Sequence, residues 1–68
     1  MTQFTSRELD ILSLLSTGMQ DKEIARRLGL ATGTVKNRLQ LIYDKIGVEG
    51  GGSRIKASNH FRDQYGNH

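Results

Sequence analysis

The sequence predicts an all-α fold of four short helices, and three observations carry that prediction. Gly29 separates two stretches of helical apolar spacing. The second of these stretches repeats Val35, Leu39, Ile42 and Ile46 at i, i+4, i+7 and i+11. Near the start, Thr5-Ser6-Arg7-Glu8 has the form of a helix-opening capping box. With 68 residues and no cysteine, the chain reads as one small unit, residues 1–68, near the lower size limit for a single apolar core without disulfide or thiolate metal support.

The first helix opens at the capping box, where the Thr5 hydroxyl and the Glu8 carboxylate are set to satisfy free amides, and Phe4 and Leu9 are spaced as a hydrophobic staple. Leu9, Ile11, Leu12, Leu14 and Leu15 make it the spine of a small bundle, and Thr17-Gly18 ends it. Asp21 is the expected N-cap of a second helix. Ile24 and Leu28 share one face of that helix, and the small Ala25 allows close approach by a neighbour. Gly29 ends it, since glycine takes the left-handed cap conformation without a Cβ penalty.

A turn Leu30-Ala31-Thr32-Gly33 leads to the third helix, whose apolar stripe faces the core while Lys36, Asn37, Gln40 and Asp44 lie opposite. A cation and two amides on an outward helix face suit base edges and phosphates in a DNA major groove. A solvated face looks similar in isolation. The paired helices and the tight turn between them, about residues 21–47, favour the DNA reader. Leu41 sits on the polar side near Asn37 and Asp44, placed for a thymine methyl, for a partner protein or simply for solvent.

Beyond Gly47, Glu49-Gly50-Gly51-Gly52-Ser53 reads as a flexible loop with Ser53 as a cap. A C-terminal helix follows over about 53–65, with Ala57, Phe61 and Tyr65 on one stripe and Ile55 on its flank. That stripe is expected to pack on the other helices, and any exposed part of it to pair with a second copy in a two-fold dimer.

The net charge is +3 and the sequence pI about 9.7. Between Asp21 and Gly47 the bases Lys22, Arg26, Arg27, Lys36, Arg38 and Lys45 outnumber the acids Asp21, Glu23 and Asp44 by six to three, which concentrates the basic excess on the candidate reader. No apolar run approaches a membrane span and the N-terminus lacks signal-peptide features, so a soluble, cytoplasmic chain without membrane association is expected. His60 and His68 have no cysteine or carboxylate cluster at ligand spacing, and Gly50 to Gly52 lacks the Lys-Ser/Thr of a phosphate loop. No metal, no cofactor and no enzyme activity are therefore expected.

The segment FTSRELDILSLLSTGMQDKEIARRLGLATGTVKNRLQLIYDKIGV resembles the LuxR/FixJ-type (GerE-like) DNA-binding domain, whose pattern runs roughly LTxRExxVLxLxxxGxxxKEIAxxLxxSxxTVKxHxxxIxxKLGV. The KEIA and TVK blocks fall at the family's spacing and the match runs from about residue 4 to 48 without a gap. The resemblance implies a three-helix core plus a C-terminal helix, binding double-stranded DNA as a homodimer on an inverted repeat to regulate transcription. Its base-contacting positions fall on Lys36, Asn37 and Gln40. Its phosphate positions fall on Lys22, Thr34 and Arg38, with Arg27 and Lys45 as further candidates, and dimerisation falls to Ile55, Ala57, Phe61 and Tyr65 of the last helix.

The chain departs from the pattern in four places. Ala31 stands at a usual Ser N-cap, so the third helix is expected to start at Thr32 or fray. Arg38 replaces the usual His, as in the related region 4 of sigma factors. The loop 49–53 is longer, and the last helix, RIKASNHFRDQYGNH, is more polar, with Arg54 and Ala57 alone matching there. These departures keep a second reading in view: a protein-interaction module of the same fold that binds RNA polymerase or another regulator. RNA binding finds little support, because no aromatic stacking platform accompanies the polar face. Met1 stands a few residues before the capping box, so the chain reads either as a stand-alone regulator or as a piece of a larger one.

Overall fold

In the computed structural model, which describes residues 4–65, four helices follow one another: α1 (Ser6–Ser16), α2 (Asp21–Leu28), α3 (Thr32–Ile46) and α4 (Ser53–Tyr65), with no strand among the described residues. The expected capping box opens α1. The Glu8 amide donates to Thr5 Oγ1 at 3.1 Å, and the Thr5 amide donates to Glu8 Oε1 at 2.8 Å. Thr17 closes the helix, its hydroxyl donating to the Leu14 carbonyl at 2.6 Å. Gly29 closes α2 in the left-handed conformation, φ 70°, which allows the Leu30 amide to reach back to the Ala25 carbonyl at 2.8 Å. Gly47 closes α3 in the same way at φ 86°.

Two helix starts differ from expectation and one agrees with it. Asp21 does not cap α2: Gln20 is the N-cap residue and offers no side-chain bond, while Asp21 is already the first helical residue and its carboxylate is taken by Arg54. The third helix starts at Thr32 as expected, with Ala31 as its N-cap and no side-chain hydrogen bond there, so Thr32 and Gly33 of the turn 30–33 already belong to the helix. Ser53 begins α4 but directs its hydroxyl backward to the Gly50 carbonyl at 2.8 Å, and the Lys56 amide bonds to the Gly52 carbonyl at 2.9 Å. The serine thus tightens the glycine loop instead of capping the helix.

The core is drawn from all four helices: Ile11, Leu12 and Leu15 of α1, Ile24 and Ala25 of α2, Val35, Leu39 and Ile42 of α3, and Ala57 of α4. Each large aliphatic side chain so buried contributes about 1.5–3 kcal/mol relative to exposure. Packing pairs α4 chiefly with α1 and α2 chiefly with α3. Of the predicted α4 stripe, Ala57 is fully buried and Phe61 partly so, while Tyr65 and Ile55 are 48% and 67% exposed. Burial peaks at Ala57 and Ser58, where Ser58 Oγ reaches the Leu15 carbonyl at 3.5 Å and the Arg54 carbonyl at 3.0 Å, and it falls off toward Tyr65. A serine with its hydroxyl satisfied thus fills a core position, which is part of why α4 looks polar in sequence.

Candidate nucleic-acid interface

The packed face of α3 determines its open face. With Val35, Leu39 and Ile42 in the core, Lys36, Asn37 and Gln40 are all exposed on the side turned away from it. Gln40 donates to Asp44 Oδ1 one turn on at 3.4 Å, a long, solvent-exposed bond that a base edge can replace at small cost. Lys36 has no ion pair among the described residues. One cation and two amides on one helix can between them offer bidentate contacts to guanine and adenine.

The sequence-predicted phosphate positions fare differently from one another. Lys22 and Arg38 are exposed and hold no ion pair among the described residues, and Thr34 is half-buried in the first turn of α3. Arg27 is exposed and shares Glu23 with Arg26, at 3.6 Å and 3.1 Å, an arrangement of surface ion pairs that exchanges readily for a phosphate. Lys45 stands apart. Its ammonium bonds to Glu8 Oε1 at 2.6 Å and lies 5.8 Å from the centre of the Phe4 ring, so it ties α3 to the start of α1. Burial alone would push the Glu8 carboxyl up. The hydrogen bond from Lys45, the bonds from Thr5 and the Lys45 charge outweigh it and hold the group below its ordinary value of 4.5. Lys45 is a structural cation whose charge is already committed within the chain.

Of the four expected dimerisation residues, Ala57 has no surface left for a partner, being wholly inside the chain's own core. Ile55 and Tyr65 are exposed, and Phe61 is half-buried with its ring 5.2 Å from that of Tyr65. Leu41 is 51% exposed on α3, as its place on the helix wheel implied. Sequence reasoning missed a contact at the start of α2: Arg54 of α4 bonds to Asp21 Oδ1 at 2.7 Å and, through its second nitrogen, to the Met19 carbonyl at 2.8 Å. No local pattern announces a pair 33 residues apart, and the only available signal was an unassigned arginine at the start of the last helix. No group of three or more His, Cys, Asp or Glu among the described residues is placed to hold a metal ion, and no helix there is long and apolar enough to cross a membrane.

Comparison with known proteins agrees with this geometry. The profile of the bacterial regulatory proteins of the luxR family matches residues 2–55, so it ends just inside α4. The chain is 44% identical over 47 residues to the transcriptional regulatory protein YdfI of Bacillus subtilis, covering 69% of this chain and 22% of that protein. It is 40% identical over 53 residues to DesR of the same organism, covering 78% and 25%. To the nitrate/nitrite response regulator NarL of Escherichia coli it is 38% identical over 58 residues, covering 85% and 26%. The chain therefore spans about a quarter of the length of the curated relatives it matches. No solved structure matches it significantly. With its four helices, its glycine-closed turn and a profile match over most of its length, the chain belongs to the luxR family of bacterial regulatory proteins, as a helix-turn-helix DNA-binding domain.

Proposed function

We propose that this chain binds double-stranded DNA sequence-specifically in the cytoplasm and regulates transcription, as a homodimer on an inverted repeat. The observation that carries the reading is the division of α3 into a fully packed face and an open face bearing Lys36, Asn37 and Gln40. In this reading those three side chains contact base edges in the major groove, while Lys22, Arg38, Arg27 and Thr34 hold the backbone on either side and fix the register. The two contributions separate by chemistry: phosphate contacts release counterions and give salt dependence, base contacts give preference. For the dimer, the proposed two-fold contact draws on Ile55 and Tyr65, the exposed large apolar residues of α4, and on the exposed part of Phe61.

A second reading is favoured by one observation, the exposed Leu41 on the same helix. It makes the domain an adaptor for RNA polymerase or another regulator. The two readings part in one experiment, selection of bound duplexes from a random DNA pool by the purified chain at about 0.15 M salt, where weak non-specific attraction is screened. Enrichment of an inverted repeat is the expected result, and its spacing reports the dimer geometry. A pool with no enriched motif would overturn the proposal in favour of the adaptor.

A further inference from the structure

The start of α2 places opposite charges side by side, Asp21 at its first position and Lys22 at its second. A carboxylate next to a phosphate-binding lysine works against the anion, and more so at the positive end of a helix, where the two anions would compete for the same field. The fold counters this from a distance. Arg54 brings one guanidinium nitrogen to Asp21 Oδ1 at 2.7 Å and anchors the other on the Met19 carbonyl at 2.8 Å, leaving the Asp21 side chain 20% exposed. Tyr43 of α3 lies close enough to feel both charges: burial raises its hydroxyl above the ordinary value, with Arg54 opposing the rise. Three helices thus meet where α2 begins, and Lys22 is left exposed.

We propose that Arg54 is a positioning residue for DNA binding: by neutralising Asp21 and fixing it against the Met19 carbonyl, it frees Lys22 and the α2 start to hold a backbone phosphate. The inference rests on the DNA reading above. It makes α4 part of the binding machinery of a single copy, independently of any dimer. The guanidinium itself need not touch DNA, since its action is exerted through Asp21.

The test compares the wild-type chain with Arg54→Met, Arg54→Lys, Asp21→Asn and the double variant Arg54→Met/Asp21→Asn, on the duplex the wild type selects. Affinity is read by fluorescence anisotropy across a salt series, with thermal melts alongside. Arg54→Met is expected to bind about three- to tenfold more weakly at about 0.15 M salt, with a salt slope shallower by up to about one unit. Arg54→Lys, which keeps the charge but not the two-nitrogen fork between Asp21 and the Met19 carbonyl, is expected to bind between the wild type and Arg54→Met. The double variant is expected to recover affinity while its melting temperature stays lowered, because the Met19 carbonyl has lost its donor. If Arg54→Met does not fold, Asp21→Asn decides alone: it is expected to bind about as tightly as the wild type or a few times tighter, and weaker binding overturns the inference. A double variant as weak as Arg54→Met would reduce Arg54 to a fold latch, and Arg54→Met binding like the wild type would also sink the inference. Both results leave the DNA reading standing, whereas a wild type that binds no duplex overturns that reading and this inference with it.

Discussion

Asn37 and Lys22 are both exposed polar residues, yet the roles assigned to them predict different failures. Asn37→Ala is expected to relax preference at a single base position and to cost about 1–3 kcal/mol on the best site. Lys22→Ala is expected to weaken all sequences alike and flatten the salt slope by roughly one unit. Binding isotherms on matched and mismatched duplexes check both, and equal loss of specificity from the two changes would refute the division of roles. A third prediction concerns Gly33, which lies in the first turn of α3 with nothing within 4 Å of where a Cβ would stand. Gly33→Ala is expected to stabilise the free chain by about 0.5–1 kcal/mol in denaturant titrations, since no steric cost offsets the entropy gained, and a lower midpoint would refute it. At this scale the exposed face of α3 was legible in the sequence, because helical periodicity alone separates Lys36, Asn37 and Gln40 from Val35, Leu39 and Ile42. The Glu8 partner of Lys45 was not legible, because periodicity places a side chain on a face without saying what another helix brings to it.

The helices differ in how their ends are secured, and α1 is the most heavily braced. Glu8 serves both the capping box and the Lys45 pair, so one carboxylate joins the start of α1 to the end of α3. Because its folded-state pKa is depressed, its contribution is fully present above the unfolded value near 4.5 and is lost as pH falls through the lower, folded value. Glu8→Gln is therefore expected to remove about 1–2 kcal/mol at pH 7 and to flatten the acid limb of the stability curve below about pH 4.5. Urea titrations at pH 7 and pH 3 measure this, and a difference between wild type and variant that is the same at both would count against the assignment. Element boundaries were read well wherever a residue's own chemistry sets them, as at Thr5, Gly29 and Gly47. They were read badly at Asp21 and Ser53, where a good capping residue is drawn away by a better partner, Arg54 in one case and the Gly50 carbonyl in the other.

Across the whole molecule, the three-helix core was legible and the seating of α4 was not. Its apolar stripe is short, its buried face includes Ser58, and its docking depends on Arg54 reaching over a glycine loop to α2, all of which are long-range facts. Sedimentation equilibrium tests the dimer patch: Ile55→Glu is expected to shift the chain toward monomer and lower its affinity for an inverted repeat while leaving a single half-site unaffected, and an unchanged mass would remove Ile55 from the contact. The two reader helices, finally, begin bare. Gln20 and Ala31 supply no side-chain cap to α2 and α3, whereas α1 has a complete one. The scaffold helix is thus capped and the two reader helices are not, and on the DNA reading proposed above a backbone phosphate supplies the missing end-piece. Folding and binding then draw on the same hydrogen bonds, so Ala31→Ser, which supplies the piece internally, should raise the melting temperature of the free chain more than that of the complex.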